Sequence, residues 1–374
     1  MTVIRDIDNG MARIEGDARV AFGQRPVLML ELIATACSNG LHIDDDTLAA
    51  ITENHKLIAD ADRESVVAPL AEIMRSPRPS YGIRWLDVTG LLDEILPEIT
   101  ALKGVETVEG HGHKDNFAHT LQVLDNVARV SDNVWLRWAA LLHDIGKPAT
   151  KRYEPGVGWT FRNHDFIGEK MTRRVFGRLR LGDREQMQYV TSLVGKHMRP
   201  QQIGEEGVSD SAVRRMITEM GDPDDLNDLM AMAEADLTSK NPVKVRRVLD
   251  TFANVRQRLE QIRRADAERL APDLINGNEI MATFAMEPTP LLGEVKKTVN
   301  DYAADHSLSH AEAYTYIIKV VGPRFGLVAV ENLGELRERF EAEYIAKENK
   351  RREREERRRA AKAEHDRRLG RVKE

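Results

Sequence analysis

The amino-acid sequence predicts an all-α protein. Apolar residues recur at helical spacing along most of the chain, aromatic residues make up only 5% of it, and the alternating runs typical of strands are sparse. The clearest helix lies between residues 245 and 262, where apolar side chains return every three or four positions. The GWTF run at residues 158–161 fits a hairpin or a loop better than a sheet.

The composition indicates a globular chain. With 374 residues, 41% of them hydrophobic, it can bury a sizeable core in about two or three domains. No basic start precedes an apolar run, and no window approaches the roughly eighteen apolar residues of a membrane span, so we expect a cytoplasmic protein without membrane contact. The single cysteine, Cys37, cannot form an internal disulfide and is expected to be a small buried residue.

The net charge of −6 hides a basic segment at the end of the sequence. Residues 345–374 contain thirteen Lys or Arg against seven Asp or Glu, so the remainder carries about −12. Overall charge therefore gives no argument for nucleic-acid binding by the body of the protein, and only this tail can be considered in those terms.

Breaks in composition predict four regions. Residues 1–104 are expected to form a helical domain, and residues 105–241 contain most of the candidate ligands. Residues 242–330 begin with the long helix and end in a helical pair. Residues 331–374 are predicted to form a charged helical tail.

Two adjacent residues, His143 and Asp144, end a predicted helix in the segment WLRWAALLHDIGKP. Gly146 offers a C-cap position, and Pro148 prevents the helix from continuing. Consecutive side chains diverge in a regular helix, but they can converge on a metal ion where the helix ends and the backbone turns.

Four further polar residues extend this pair into an ordered series. Asp236 lies near the C-terminal end of a mostly apolar helix, where the helix dipole and burial both favour a cationic partner, either a metal or a basic side chain. Each histidine taken alone is more often structural than a ligand. The full series comes from separate helices, as in metal sites inside helical bundles, and consists of His119, His143, Asp144, His164, His197 and Asp236.

The order of these residues and the HDIGKP segment resemble the HD superfamily of metal-dependent phosphohydrolases. The resemblance implies that the four-residue core is His119, His143, Asp144 and Asp236. Members with two additional histidines hold two metals bridged by the aspartate of the pair, which implies that His164 and His197 complete a second site. Lys147 resembles the lysine that meets substrate phosphate in such members, although it could also be a solvated lysine at a helix end.

Imidazole and carboxylate ligands suit a divalent transition metal, with Mn, Fe, Co, Ni and Zn as candidates and Mg as a further one. One or two such ions can activate water and neutralise a phosphate, so no side-chain nucleophile is needed. We therefore expect Asp144 and Lys147 to be catalytic. Arg199 and Lys240 are candidates for contact with substrate phosphate from their position alone.

A wider resemblance covers about residues 58–325, and residues 25–57 match more loosely. Segments such as EADLTSKNPVKVRR are similar to the neck, HD and tail portions of bacterial CCA-adding tRNA nucleotidyltransferases. We expect the catalytic head of that family to be missing, because no Gly-Ser loop with paired aspartates is present. In the family's arginine-rich neck segment, this chain has Arg25, Leu28, Glu31 and Ala34. In the nucleotide-templating element it has Glu64, Ser65 and Pro69.

These departures lead us to expect no CCA addition by this chain alone, although a split enzyme with its head on another chain is an alternative. The resemblance implies hydrolysis of 2',3'-cyclic phosphates, 2'-nucleotides or simple phosphate esters, on a nucleotide or an RNA end. The main alternative is a tRNA-binding or RNA-binding module with a structural or vestigial metal site. Regulatory hydrolysis of a signalling nucleotide is a third possible function.

The tail at residues 346–373 mixes Glu with Arg at spacings that support ion pairs one helical turn apart, which predicts a long solvated helix. An electrostatic arm for tRNA or ribosomal RNA is the alternative function for this segment. No aromatic residue interleaves these arginines, so base stacking by the tail is not expected. The sequence leaves the oligomeric state open.

Overall fold

Helices account for 74% of the chain and strands for 4%, which confirms the predicted all-α class with its charged C-terminal helix. The computed structural model describes residues 3–6, 9–104, 107–108, 111–112, 115–204, 208–239, 241–270 and 273–371. Within these ranges, no single helix is long and apolar enough to cross a membrane, and one pair, Ala18–Gln24 with Leu28–Asn39, meets the length and composition criteria only together, across a bend of 118°.

The chain divides into two compact units. Unit 1 comprises Met1–Ile262 together with Glu364–Glu374, and unit 2 comprises Arg263–Ala363. The chain therefore leaves unit 1 once and returns to it near residue 364. The four regions that we expected from composition stay a prediction, since unit 1 contains the first two of them and parts of the others.

Unit 1 begins with a small sheet that the sequence did not indicate. The strands are β1 (Val3–Asp6), β2 (Met11–Ile14) and β3 (His42–Ile43), with β2 antiparallel to β1 and parallel to β3. Alternation along β2 buries Ala12 and Ile14. Strands of two to four residues are too short to show such a pattern in the sequence alone.

A helical layer follows this sheet. Its central helix, α2, is almost entirely buried and includes Cys37, whose Sγ lies 3.1 Å from Ser76 Oγ, so the expectation of a small buried residue is confirmed. A 3₁₀ turn spans His55–Asp60. The helices of this layer are α1 (Ala18–Gln24), α2 (Leu28–Asn39), α3 (Asp45–Asn54), α4 (Arg63–Arg75), α5 (Pro79–Val88), α6 (Leu91–Ile95) and α7 (Pro97–Thr100).

The remainder of unit 1 is a helical bundle with two short hairpins. The strands are β4 (Thr107–Val108) with β5 (His111–Gly112), and β6 (Arg152–Glu154) with β7 (Gly158–Thr160). The hairpin at GWTF is thus confirmed. The helices are α8 (Asn116–Val130), α9 (Val134–Leu142), α10 (Lys147–Thr150), α11 (His164–Leu179), α12 (Arg184–Lys196), α13 (Arg199–Ile203), α14 (Asp210–Met220), α15 (Pro223–Ala235) and α16 (Pro242–Leu270). Helix α16 contains the predicted helix 245–262 and belongs to unit 1 as far as Ile262.

Side-chain caps begin several helices of this bundle. Asn133 caps α9 by accepting hydrogen bonds from the backbone N–H groups of Trp135 and Leu136. Asp183 and Gln186 form a reciprocal capping box at the start of α12. These caps fix where α9 and α12 start, and the lengths of the two helices then determine where their C-terminal residues lie.

Unit 2 is a smaller helical cluster. Its helices are α17 (Gly277–Phe284), α18 (Pro290–Asp305), α19 (His310–Tyr316), α20 (Gly322–Arg324) and α21 (Leu333–Arg368), with a π-helical turn at Ile317–Val321. Helix α21 contributes Leu336 and Phe340 to the core of this unit. Its last five residues, 364–368, belong to unit 1.

Candidate metal centre

The six predicted ligands lie together in unit 1, at or near the ends of five helices. Helices α9, α12 and α15 contribute their C-terminal ends, whose partial negative charge favours a cation. Helices α8 and α11 contribute their first turns. The residues are His119 in α8, His143 and Asp144 after α9, His164 at the start of α11, His197 after α12 and Asp236 after α15.

The carboxylate of Asp144 separates two groups of imidazoles. Its Oδ2 lies 3.2 Å from His143 Nε2 and 3.7 Å from His119 Nε2. Its Oδ1 lies 3.5 Å from His164 Nε2 and 4.0 Å from His197 Nε2. We call the two groups the first subsite (His119, His143, Asp144 and Asp236) and the second subsite (Asp144, His164 and His197).

Asp236 belongs to the first subsite only. Its Oδ1 lies 2.8 Å from His119 Nε2 and 3.7 Å from His143 Nε2. In the second subsite the Nε2 atoms of His164 and His197 are 3.1 Å apart. Two groups of three residues could each hold a metal ion: His119, His143 and Asp144 of the first subsite, and Asp144, His164 and His197 of the second.

The histidine rings are held by their other nitrogen. A backbone carbonyl three residues earlier lies 2.8 Å from Nδ1 of His143, His164 and His197. Because a carbonyl only accepts, Nδ1 carries the proton and the lone pair remains on Nε2 in the neutral ring. Thr238 Oγ1 lies 2.9 Å from His119 Nδ1. All four rings thus direct Nε2 into the centre, as metal-binding histidines do.

The centre is buried and its polar atoms are incompletely paired. His143 and Asp144 are each only 1% exposed. Among the described residues, His143 Nε2 is one of the few buried side-chain nitrogen atoms without a hydrogen-bond partner. A fully buried carboxylate, a second one that is 34% exposed and an unpaired buried imidazole nitrogen favour a cation at this place. The residues therefore fit a divalent metal ion.

Charge and burial shift the pKa values within the cluster in opposite directions. Burial alone would lower the pKa of His143, but the neighbouring carboxylates of Asp144 and Asp236 raise it to about 10. Burial alone would raise the pKa of Asp144, but His143, Lys147 and His197 hold it far below its usual range. Burial beside His143 lowers the pKa of His197 to about 4, which keeps that ring neutral and able to bind a metal.

Gly146 has a different role from the helix C-cap that we expected. Its backbone is right-handed, with φ −77°, and it precedes the short helix α10. A Cβ atom at this position would lie 2.1 Å from the carbonyl oxygen of His164 and 2.7 Å from the backbone nitrogen of Gly168. Only glycine allows the turn after Asp144 to touch the first turn of α11. That contact brings the second subsite next to Asp144.

Lys147 is not a freely solvated lysine. Its Nζ lies 2.6 Å from Asp144 Oδ2 and 5.7 Å from the centre of the Phe161 ring, and its side chain is 19% exposed. The structure thus places an ammonium group directly at the cluster. Its contact with substrate phosphate stays a prediction.

The other two phosphate candidates differ from Lys147. Arg199 is exposed at the start of α13, in a cleft that it shares with Gln202, Arg215 and Glu219. The structure records no hydrogen bond or ion pair from Arg199 to any of the six clustered residues. Lys240 lies outside the described residues.

Sequence reasoning missed Thr238 and the three backbone carbonyls that orient the rings. A hydroxyl two positions after Asp236 was a visible signal, because it follows the helix end that carries a candidate ligand. The carbonyls carry no sequence signal, since every residue has one.

Two family models match this chain. Residues 116–241 match the HD domain, and residues 40–103 match a model described as the probable RNA and SrmB-binding site of polymerase A. The first match spans all six clustered residues. The chain therefore contains an HD domain, a class of domain that binds divalent metals.

Curated relatives extend this result. The chain is 32% identical over 248 residues to an A-adding tRNA nucleotidyltransferase of Deinococcus radiodurans, covering 64% of this chain and 54% of that protein. It is 31% identical over 246 residues to a CC-adding tRNA nucleotidyltransferase of Thermus thermophilus, covering 65% and 53%. The resemblance to the neck, HD and tail portions of such enzymes is confirmed. The chain spans about half the length of these relatives.

A solved structure of the Bacillus stearothermophilus CCA-adding enzyme in complex with CTP is also similar to this chain. The TM-score is 0.42 at 14% identity, and the alignment covers 86% of this chain and 68% of that one. A similarity at this level supports no inference about function.

Proposed function

We propose that this protein is a metal-dependent phosphohydrolase that acts on phosphate esters of nucleotides or RNA ends, of the 2',3'-cyclic phosphodiesterase or phosphatase type. The observation that carries the proposal is the position of Asp144, whose two oxygens face two separate groups of imidazole Nε2 atoms. A carboxylate so placed can be shared by two metal ions. The metal would be Mn, Fe, Ni, Co or Zn, with Mg as a further candidate.

Each residue of the centre has a definite task in this proposal. When bound, two divalent ions supply an activated water and positive charge that offsets a phosphate. Asp144 joins the two subsites, and the Nδ1 contacts keep the four rings oriented before any substrate arrives. Lys147, already beside Asp144, would bind a non-bridging phosphate oxygen.

We also propose that this chain alone does not add nucleotides to tRNA. Two positions of the family's templating element carry Ser65 and Pro69, and Pro69 is buried inside helix α4. Glu64 remains, but its side chain is exposed and lies 3.8 Å from Arg180. A buried proline and a serine cannot present the planar, charged hydrogen-bonding groups that select a nucleotide. Incubation with tRNA lacking its 3' end and radiolabelled CTP or ATP should give no extension.

A second candidate function is RNA binding with a structural or vestigial metal site. It is favoured by the match of residues 40–103 to an RNA-binding model and by the exposed arginines of helix α21. Both functions can coexist in one chain if the hydrolase acts on an RNA end. A measurement of phosphate-ester hydrolysis distinguishes an enzyme from a protein that only binds RNA.

The test starts with metal analysis of the purified protein. Cyclic phosphates, nucleoside mono- to triphosphates and dinucleoside polyphosphates are then screened with Mn, Ni, Co and Mg. We expect hydrolysis of at least one cyclic or terminal phosphate ester with a transition metal. In D144A, which loses the ligand common to both subsites, turnover should fall by at least about a thousandfold.

Asp250→Ala is the matched control, because Asp250 is an exposed aspartate on α16. It should keep wild-type turnover. Absence of hydrolysis throughout the screen, or equal rates for D144A and wild type, would reject the hydrolase and leave the RNA-binding module.

A further inference from the structure

A second polar cluster lies about two to three turns before the metal centre along the three helices that lead to His143, His197 and Asp236. We call it the distal cluster; it consists of Asn133, Tyr189, Asp228 and Arg371. Asn133 precedes α9, Tyr189 lies in the first half of α12, and Asp228 lies in the first half of α15. Arg371 follows helix α21 and belongs to unit 1.

The contacts in the distal cluster are short and largely shielded from water. Tyr189, 4% exposed, donates from its hydroxyl to Asp228 Oδ2 over 2.7 Å and accepts from Asn133 Nδ2 over 3.0 Å. The guanidinium of Arg371 bonds Asp228 and, over 2.7 Å, Asp225 Oδ1. It also lies 5.3 Å from the centre of the Tyr189 ring. Arg371 is thus a cation shared by two carboxylates that lie one turn apart on α15.

The preceding residues reinforce this contact. His365 bridges the two helices, with Nδ1 2.5 Å from Glu185 Oε1 of α12 and Nε2 3.1 Å from Asp225 Oδ1 of α15. Leu369 is fully buried within the core of unit 1. The segment 365–371 therefore joins α12 to α15 by charge, hydrogen bonds and apolar packing together.

The distal cluster and the metal centre lie at matching positions on the three helices. From Tyr189 to His197, and from Asp228 to Asp236, the axial distance is about 12 Å at the 1.5 Å rise of a helical residue. From Asn133 to His143 it is about 15 Å. Because the three helices meet both at the distal cluster and at the metal centre, they run in the same direction. A change in their spacing at one end is transmitted to the other by stiff helical segments.

We propose that the segment 365–371, through Arg371, is a positioning element of the metal centre. It holds the N-terminal parts of α12 and α15 against the start of α9, and so sets the spacing of His197, Asp236 and His143 at the other end. Metal ligands must stand within about 0.5 Å of their required positions, so a small splaying of the helices weakens binding. This inference rests on the metal-dependent function proposed above.

Loss of Arg371 has a defined consequence. Asp225 and Asp228 would remain without their guanidinium partner in a shielded place, and uncompensated buried charge drives local opening toward water. Such opening separates α12 from α15. We expect R371A to bind Co²⁺ about tenfold more weakly than wild type, the size of coupling found between linked sites. R371K, which keeps the charge and loses the forked geometry, should recover part of that affinity.

The test is a Co²⁺ titration of the full chain, followed by visible absorption. Co²⁺ absorption depends on ligand geometry, so altered spacing changes the spectrum as well as the affinity. Arg352→Ala is the control, since Arg352 lies on α21 outside the segment 365–371, is 71% exposed and lies 3.9 Å from Glu348 of its own helix. This variant should match wild type in both readouts, and far-UV circular dichroism should be equal for all folded variants.

Tyr189→Phe keeps the inference testable if R371A does not fold. It removes only the hydroxyl that joins Asn133 and Asp228, and should weaken Co²⁺ binding about threefold with a shifted spectrum. Wild-type affinity and spectrum in Y189F, or in a folded R371A, would overturn the positioning role alone. A wild-type protein that binds no Co²⁺ would overturn the metal centre and this inference with it.

Discussion

At the scale of single residues, the structure separates the ligands from the groups that orient them. The order of histidines and aspartates along the sequence, together with its resemblance to the HD superfamily, predicted which six residues gather. Thr238 and the carbonyls behind the rings were not predictable in the same way. Their role follows from tertiary contacts that join positions such as 119 and 238.

Thr238 provides the first prediction at this scale. Thr238→Val keeps the shape of the side chain and removes the oxygen that holds His119 Nδ1. We expect the affinity for Mn²⁺ to fall by about 10–100-fold, as for other groups that support metal-binding histidines. Isothermal titration calorimetry measures this change. Thr238→Ser retains the hydroxyl and should bind like wild type, and an equally weak Ser variant would contradict the hydrogen-bond explanation.

Gly146 provides the second prediction at the scale of single residues. In Gly146→Ala the new methyl group meets backbone atoms of His164 and Gly168, which cannot move without shifting α11. The free energy of unfolding should fall by about 2–3 kcal/mol, the usual cost of overpacking, measured by urea denaturation. Gly177→Ala is the matched control on α11, where an added Cβ meets nothing within 4 Å. That variant should gain up to about 1 kcal/mol from helix propensity.

At the scale of helices and strands, the long periodic segments were predictable and the short ones were not. Helix α16 appears where the apolar repeat indicated it. The sheet of β1, β2 and β3 was missed because its strands are short and its pairing joins residues far apart, such as Ala12 and Ile43. The fold class thus follows from local pattern, whereas pairing of brief segments is decided by the rest of the fold.

A buried histidine links three helices of unit 2 and makes the stability of that unit depend on pH. His310, in α19, lies 3.2 Å from Glu279 Oε2 of α17 and 2.8 Å from Glu341 Oε2 of α21. Burial alone would lower the pKa of His310, but these two carboxylates outweigh burial and raise it. Because the folded pKa exceeds the unfolded value of about 6.5, the stabilisation is complete below that pH and is lost as pH rises through the folded pKa.

We therefore expect the unfolding temperature of unit 2 to fall as pH is raised from about 6 to about 9. The part of this decrease that comes from deprotonation of His310 should be absent in His310→Gln. Differential scanning calorimetry of the full chain measures it. His306→Gln is the control, since His306 is exposed and stacks on Tyr302. A pH profile that is the same in wild type and His310→Gln would contradict this account.

At the scale of the whole molecule, the charged tail, for which a long solvated helix and an electrostatic arm for RNA were the two expectations, is buried at two places along its length. Leu336 and Phe340 hold helix α21 in unit 2, and residues 365–371 pack within unit 1. Residues 351–361 between these anchors are exposed. Deleting residues 346–374 would thus remove His365, Leu369 and Arg371, which pack within unit 1, as well as the exposed arginines, and cannot isolate a role in RNA binding.

Substitution of the three consecutive arginines Arg357, Arg358 and Arg359 by Gln tests that role more cleanly. If this stretch contacts RNA phosphates, affinity should fall at low salt, and the slope of log affinity against log salt should decrease by up to about 2–3. Fluorescence anisotropy with a labelled tRNA at several salt concentrations gives both quantities. Hydrolysis of small esters should be unaffected. An unchanged slope would show that these arginines do not meet the RNA backbone.

The return of the chain to unit 1 has a consequence for synthesis. Asp225 and Arg371 are 146 positions apart, and all of unit 2 lies between them. At the usual pace of about 5–20 residues per second, a ribosome needs many seconds to make the intervening chain. During that interval the nascent bundle has its histidines and aspartates but not the guanidinium that closes it. On the positioning role proposed above, a chain that ends at residue 363 should bind Co²⁺ more weakly than the full chain, and a peptide of residues 364–371 supplied in trans should restore the affinity in a Co²⁺ titration.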